Sequence, residues 1–262
     1  MGVSRSNLYE RLNLGEKKVH NRNDDPSVLD AIRSITDERP SYGYRRVTAV
    51  LRKKLQKPVN HKRVYRIMKE NSLLLQKYGK RPTRSHHGKI ITLASNMRWC
   101  SDGFRILCWN GEHVEVAFSL DCCDREAISW VCSTRGIDSE LVRDLMTMSV
   151  ETRLGPIKRL PHTIQWLTDN GPGYVANKTV SFGRSLGFDV VTTPSYSPES
   201  NGMAEAFVKT FKRDYVYHAD LSSAETVIRQ LSGWFEDYNE NHPHKGLGMM
   251  SPREYRRILT AN

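Results

Sequence analysis

The sequence predicts a mixed α/β layer fold, one five-stranded sheet flanked by helices, preceded by a small basic helical unit. Two observations carry this reading. Apolar residues recur at helical spacing up to about residue 75, then change to strand-like runs of Val, Ile, Phe and Trp from Met97 onward. Charge divides near the same place: residues 1–90 carry 22 Lys and Arg against 8 Asp and Glu, and residues 91–262 carry 18 against 21. A chain of 262 residues has the length for two units with cores of their own. The basic front points to a polyanionic partner, nucleic acid above all, and the near-neutral remainder to a different task.

In order along the chain, residues 2–14 read as a short helix capped by Ser4 or Ser6. Asp25-Pro26 opens a second helix with Val28, Ile32 and Ile35 on one face, closed by Arg39-Pro40. Ser41-Tyr42-Gly43-Tyr44 turns into a helix over residues 45–55, where Val47, Val50 and Leu51 are interleaved with Arg45, Arg46, Arg52, Lys53 and Lys54. A further helix follows from Asn60, with Val64, Ile67 and Met68 inward and Lys62, Arg63, Arg66 and Lys69 outward. Residues 1–75 thus suggest a helix-turn-helix-like DNA-binding region whose Arg45, Arg46, Lys62, Arg63 and Arg66 suit a phosphate backbone. Residues 76–96 have the polar, basic, Gly- and Pro-containing composition of a linker, and His86-His87 within it reads as solvated.

Three strands follow, over 97–107, 113–121 and 127–133, joined at Trp109-Asn110-Gly111 and Cys123-Asp124-Arg125 into an antiparallel meander. Next come a helix over 138–154 with Leu141, Leu145 and Met148 as its apolar face, a strand over 163–167, a helix over 177–186 and a strand over 189–193. A helix over 198–217, with Ser197 as N-cap and Pro198 first inside, and another over 224–241 complete the core, and residues 242–262 form an extension. The order βββαβαβαα matches the ribonuclease-H-like topology. All five cysteines lie between Cys100 and Cys132 without zinc-site spacing, as small core residues of a reduced protein. No run approaches the roughly 18 apolar residues of a membrane span, so a soluble, intracellular protein is expected.

The helix over 198–217 carries the chemistry. Ala204, Phe207, Val208, Phe211 and Tyr215 form its apolar stripe, and Glu205 stands within about 40° of Lys209 and Lys212 beside it. Alone, Glu205 reads either as half of an ordinary Glu–Lys pair or as a metal-binding acid flanked by phosphate-binding lysines. Asp102 inside the first strand and Asp169 at the exit of the fourth, where Asn170-Gly171 turns sharply, can converge with it. Three carboxylates suit one or two Mg²⁺ or Mn²⁺ ions, and a pair of ions about 3.5–4 Å apart clamps both oxygens of an in-line phosphodiester displacement. Asp121 and Asp124 compete with Asp102 but read as solvated acids of a strand end and a turn. Glu199 competes with Glu205 but lies about 120° from the lysine stripe.

Thr168-Asp-Asn-Gly171 followed by Pro198-Glu-Ser-Asn-Gly-Met-Ala-Glu205, with 35 residues between Asp169 and Glu205, resembles the catalytic core of retroviral integrases and insertion-sequence transposases. More narrowly, Tyr42-Gly-Tyr-Arg-Arg-Val47, Arg63-Val-Tyr-Arg-Ile-Met68, Ser119-Leu-Asp-Cys-Cys-Asp-Arg125 and Ser251-Pro-Arg-Glu-Tyr255 resemble the second-frame (OrfB) transposase of frameshifting bacterial insertion sequences. The resemblance spans about residues 25–257 and favours Asp102 as the first acid. It implies a DDE transposase that cleaves and transfers strands at element ends, with Asp102, Asp169 and Glu205 as catalytic metal ligands. It places Lys209 and Lys212 on the DNA end, with Asn170 and Asn201 positioning DNA or water. The implied partners are double-stranded DNA (terminal inverted repeats and target), the product of the upstream reading frame, and further copies of the chain assembled on DNA. The implied location is the bacterial cytoplasm, at the nucleoid. Unlike retroviral integrases, the sequence has no cysteine before Cys100 for a His/Cys zinc domain. The family's enzyme is commonly a fusion with an upstream segment, so activity is expected to depend on it. A non-catalytic DNA-binding regulator and an RNase-H-type nuclease are the rival readings.

Overall fold

A computed structural model describes residues 22–76, 92–193 and 201–261. The expected helix over 2–14, His86-His87, Ser197-Pro198 and Glu199 lie outside the described residues. The chain divides into two compact units, one reaching Glu38 and resuming over Tyr42–Leu74, the other made of Arg39–Ser41 and the chain from Leu75 onward.

The first unit is three helices, α1 (Asp25–Glu38), α2 (Tyr44–Leu55) and α3 (His61–Glu70). Each buries the apolar stripe its spacing announces: Val28, Ile32 and Ile35, then Val47 and Leu51, then Val64, Ile67 and Met68. Asn60 caps α3 by accepting from the Lys62 backbone N–H at 2.9 Å.

The second unit is built on strands β1 (Arg98–Leu107), β2 (His113–Asp121), β3 (Ala127–Ser133), β4 (Ile164–Thr168) and β5 (Phe188–Thr192). They form one mixed sheet in the order β3-β2-β1-β4-β5, antiparallel through β3, β2 and β1 and parallel through β1, β4 and β5. Between the strands lie α4 (Ser139–Leu154), the short α5 (Pro172–Val175) and α6 (Asn177–Leu186). After the sheet come α7 (Gly202–Asp214), α8 (Ala224–Asn241) and α9 (Pro252–Ala261).

Strand alternation sorts the two cores. Cys100, Phe104 and Ile106 of β1, Val116 and Phe118 of β2 and Leu167 of β4 face one side, where Phe207 and Phe211 of α7 and Leu231 and Phe235 of α8 cover them. Trp99, Ala117 and Trp166 face the other, under Val142, Leu145 and Met146 of α4. The result is three layers, helices on both faces of a sheet.

The buried face of α4 departs from the sequence reading. Val142, Leu145, Met146, Ser149, Val150 and Arg153 point inward, while Met148 is 43% exposed. The inward stripe includes two polar residues, so choosing apolar residues alone turned the helix the wrong way. Both are satisfied: Ser149 Oγ lies 2.7 Å from Ser119 Oγ, and Arg153 pairs with Asp121, Asp124 and Glu126. Asp121 and Asp124 are therefore wholly buried and not the solvated acids expected. A lone buried arginine would be prohibitive, and so would three unpaired buried carboxylates; Arg153 bridges all three, and burial and the charge of Asp124 push the Asp121 carboxyl up to about 6, which lessens the excess negative charge. Arg253 and Arg256 of α9 also donate to Glu126, at 2.9 and 2.8 Å, so residues beyond 242 join the same unit.

The helix expected to run to 217 stops at Asp214. Tyr215 leaves helical geometry at φ −121° and ψ −59°, its phenol donates to Asp237 of α8 at 2.8 Å, and a 3₁₀ turn follows over Val216–His218.

Candidate active site

Asp102 and Asp169 are placed by strand register. In the parallel β1–β4 pair, Arg98 faces Gln165, Trp99 faces Trp166 and Cys100 faces Leu167. Continued past the last paired residues, the same offset leads from Asp102 to Asp169, which directly follows the end of β4. Asp102 lies two residues beyond Cys100 on β1, so strand alternation turns it to the face that α7 covers, within reach of the charges of Asp169 and Glu205. The Phe207 ring lies tilted against that of Phe118 with centroids 4.4 Å apart, and Phe118 is the β2 partner of Asp102. That contact holds Glu205, two residues earlier on α7, at the level of Asp102.

The carboxylates sense one another. Burial first, then the negative charges of Asp169 and Glu205, push the Asp102 carboxyl up to about 6 against the bond it accepts from the Gly103 N–H at 2.7 Å. Asp169 Oδ1 accepts from the Gly171 N–H at 3.0 Å, an Asx turn that makes the sharp exit of β4. Glu205 Oε2 is held by Lys209 Nζ at 3.3 Å. Their side chains are 40% and 67% exposed, so this pair is weak and easily exchanged. Lys212 Nζ sits 5.6 Å above the Phe104 ring.

The two asparagines tie the site's loops to the sheet. Asn170 donates to the Thr193 carbonyl at 3.0 Å, and the buried Asn201 donates to the Ser101 carbonyl at 3.3 Å. Asp121 loses its competition with Asp102 on geometry, because it pairs with Trp99 and shares that residue's opposite face of the sheet.

Among the described residues, no three His, Cys, Asp or Glu side chains already converge as a metal cage. The donor chemistry nevertheless fits a hard divalent cation: three carboxylates, oxygen ligands only, with a mutual repulsion that such a charge would relieve.

Sequence reading missed a polar layer behind the acids. Ser101, fully buried, donates from Oγ to the Tyr174 phenol at 3.2 Å, and Tyr174 comes from α5, a helix too short to show periodicity. Burial, and then the charges of Asp102 and Asp169, raise the Tyr174 phenol. The one available signal was a serine directly before an in-strand aspartate, which is weak.

In the helical unit, the predicted cations fall into two groups. Arg63 binds Asp24 and Asp25 at 2.6 Å each, and Arg66 binds Asp25 and Glu70. Burial opposes the ionisation of Asp25, but hydrogen bonds from Arg66, the Arg22 backbone and Arg63 hold its carboxyl down at about 2. Arg45, Lys62 and Lys69 are exposed and have no carboxylate partner among the described residues. Around them lie Tyr44, with Arg45 5.5 Å above its ring, and Tyr65, edge-on to Tyr44 at 5.1 Å. Arg46 lies 5.4 Å over Tyr42.

Residues 22–81 match the HTH-like domain, and residues 93–198 and 186–252 match the Integrase core domain. Over 271 aligned residues the chain is 46% identical to Transposase InsD for insertion element IS2A/D/F/H/I/K of Escherichia coli, covering 99% of this chain and 89% of that one. Among solved structures, a chain of the simian T-cell lymphotropic virus intasome, in complex with PP2A regulatory subunit B56 gamma, shares the fold at a TM-score of 0.52. That likeness has 17% identity and covers 86% of this chain and 73% of that one. The HTLV-2 integrase catalytic core domain in complex with magnesium aligns at a TM-score of 0.48 and 14% identity, over 62% of this chain and 97% of that one. No helix among the described residues is long and apolar enough to cross a membrane. With a full-length relative at this identity and both domain types in the same order, the chain belongs to the insertion-element DNA transposases that carry an HTH-like domain and an integrase core.

Proposed function

We propose that Asp102, Asp169 and Glu205 hold one or two Mg²⁺ or Mn²⁺ ions and that the chain there cleaves the phosphodiester at an element end, freeing a 3′-OH that is joined to a second strand by transesterification. The observation that carries this reading is that Asp102 lies on the strand face that α7 covers, with Asp169 and Glu205 both close enough for their charges to raise its carboxyl. When bound, a divalent cation supplies Lewis-acid charge to the attacking and leaving oxygens.

The chain's own residues bind and orient. Glu205 would be one of the residues that hold the ion; Lys209, whose exposed pair with Glu205 is weak, meets a DNA phosphate, and Lys212 holds the neighbouring phosphate from its seat over Phe104. Asn170 and Asn201 keep the two acid-bearing loops in place. In the helical unit, Arg45, Arg46 and Lys62 contact the backbone of the terminal repeats. Arg63 and Arg66 brace α3 against the start of α1, and DNA reaches them only in competition with Asp24 and Asp25. Copies of the chain assemble on paired ends in the bacterial cytoplasm, at the nucleoid, together with the upstream-frame product.

The test is incubation with Mg²⁺ or Mn²⁺ and a labelled duplex carrying the element's inverted repeat, alone and with the upstream-frame product. Nicked and joined products are expected from the parent and none from Asp169→Ala. Equal products from Asp169→Ala would sink the proposal.

A further inference from the structure

We infer that Tyr174 is a positioning residue that sets the spacing of the two aspartates through its hydroxyl contact with Ser101. This rests on the metal-site reading above.

The argument is one of connectivity. Ser101 directly precedes Asp102 on β1 and Thr168 directly precedes Asp169 on β4, each one residue beyond the Cys100–Leu167 pair. Ser101 and Thr168 both turn to the sheet face away from the acids, so whatever binds there fixes the backbone from which both carboxylates spring. Tyr174 binds there, its hydroxyl 3.2 Å from Ser101 Oγ and its ring 4% exposed. The same tyrosine reaches the Asp169 loop by packing. A Cβ at Gly171 would stand 3.3 Å from the Tyr174 ring and 3.1 Å from Asp169 Oδ1, so carboxylate, turn and ring are stacked without slack. The far side of α5 is equally tight: a Cβ at Gly173 would stand 3.0 Å from the Asp138 backbone. Thr179 Oγ1 donates to the Gly173 carbonyl at 2.8 Å. With α5 pinned on that side, the phenol is the strut between β1 and the loop that carries Asp169. A hard cation tolerates little error in ligand spacing, which makes metal affinity the property that such a strut controls.

The experiment measures Mn²⁺ binding to the full chain by calorimetry without DNA, for the parent, Tyr174→Phe, Ser101→Ala, the double variant and Asp169→Ala. Tyr174→Phe keeps the buried ring and loses the hydroxyl. We expect it to bind Mn²⁺ about 10-fold more weakly. Ser101→Ala should match it, and the double variant should be no weaker than either single one, because both remove the same contact. Affinity for a repeat duplex in EDTA should stay at the parental value, and the melting temperature in EDTA should fall by only a few degrees, as the loss of one buried hydrogen bond requires. Parental Mn²⁺ affinity in both single variants, or additive losses in the double one, would overturn the role of Tyr174 alone. If the parent binds no Mn²⁺, or Asp169→Ala binds it as well as the parent does, the metal reading fails and this inference with it. Should Tyr174→Phe fold poorly, Ser101→Ala decides by itself.

Discussion

Replacing Asp102 by Asn should stabilise the metal-free protein, and the size and pH dependence of the gain follow from the site. The carboxyl is pushed from an ordinary 3.8 up to about 6 by burial and by the charges of Asp169 and Glu205. The folded state therefore holds the proton more tightly than the unfolded one, so stability falls as pH rises from about 4 to about 6 and the penalty is complete above that. At 1.36 kcal/mol per pKa unit the penalty is about 3 kcal/mol, and partial solvent exposure reduces it to about 1–2 kcal/mol. Asn keeps the oxygen that accepts from the Gly103 N–H and never ionises. In EDTA near pH 8, Asp102→Asn should melt about 2–4 °C above the parent, and near pH 4 the two should coincide. Mg²⁺ should raise the parent's transition and leave the variant's unmoved, since metal binding to the folded state adds to stability. Calorimetric or circular-dichroism melts over this pH range provide the assay. An Asp102→Asn variant that melts below the parent at pH 8, or whose difference from the parent does not change with pH, would show that burial and the neighbouring acids do not raise the Asp102 carboxyl.

Other perturbations separate chemistry from scaffold. Asp169→Ala and Glu205→Ala should each abolish strand cleavage and joining, while gel-shift affinity for the repeat duplex in EDTA stays within about 2-fold of the parent, because losing one carboxylate takes no phosphate contact away. Arg153→Met should cost about 3–5 kcal/mol in urea unfolding, since it strands Asp121 and Asp124 in the interior and leaves Glu126 to Arg253 and Arg256 alone. Lys62→Ala and Lys69→Ala should each flatten the log–log salt dependence of DNA binding by about 0.9, and Arg66→Ala should lower stability with little change in slope. An equal change in slope for all three would refute the division of α3 into an open and a braced edge.

The strands were legible because each is a short apolar run bounded by Gly, Asn or Asp, a signal that survives without tertiary context. The α4 face was not. Ser149 and Arg153 look like solvent residues until the Ser119 hydroxyl and the three acids of the β2–β3 turn are known to lie beneath them. The same blindness made Asp121 and Asp124 look solvated. Arg63 and Arg66 likewise read as outward cations, because the carboxylates that bind them, Asp24 and Asp25, are about forty positions earlier in the chain.

By itself the sequence determined what depends on local chemistry: the alternation that makes each strand, the stripe of Phe207 and Phe211 that seats α7, the Asn-Gly turn that follows β4, and a motif spacing that singled out Asp169 and Glu205 as candidates. Only the tertiary structure decided which faces those residues share. The β1–β4 pairing lays the strand of Asp102 beside the one that Asp169 follows, and the β1–β2 register sends Asp121 to the opposite face. It also decided that a serine and a tyrosine, 73 positions apart, lie behind the acids. The physical reason is that burial and charge neutralisation are properties of pairs of distant residues, and a polar side chain carries no local mark of the partner that will satisfy it.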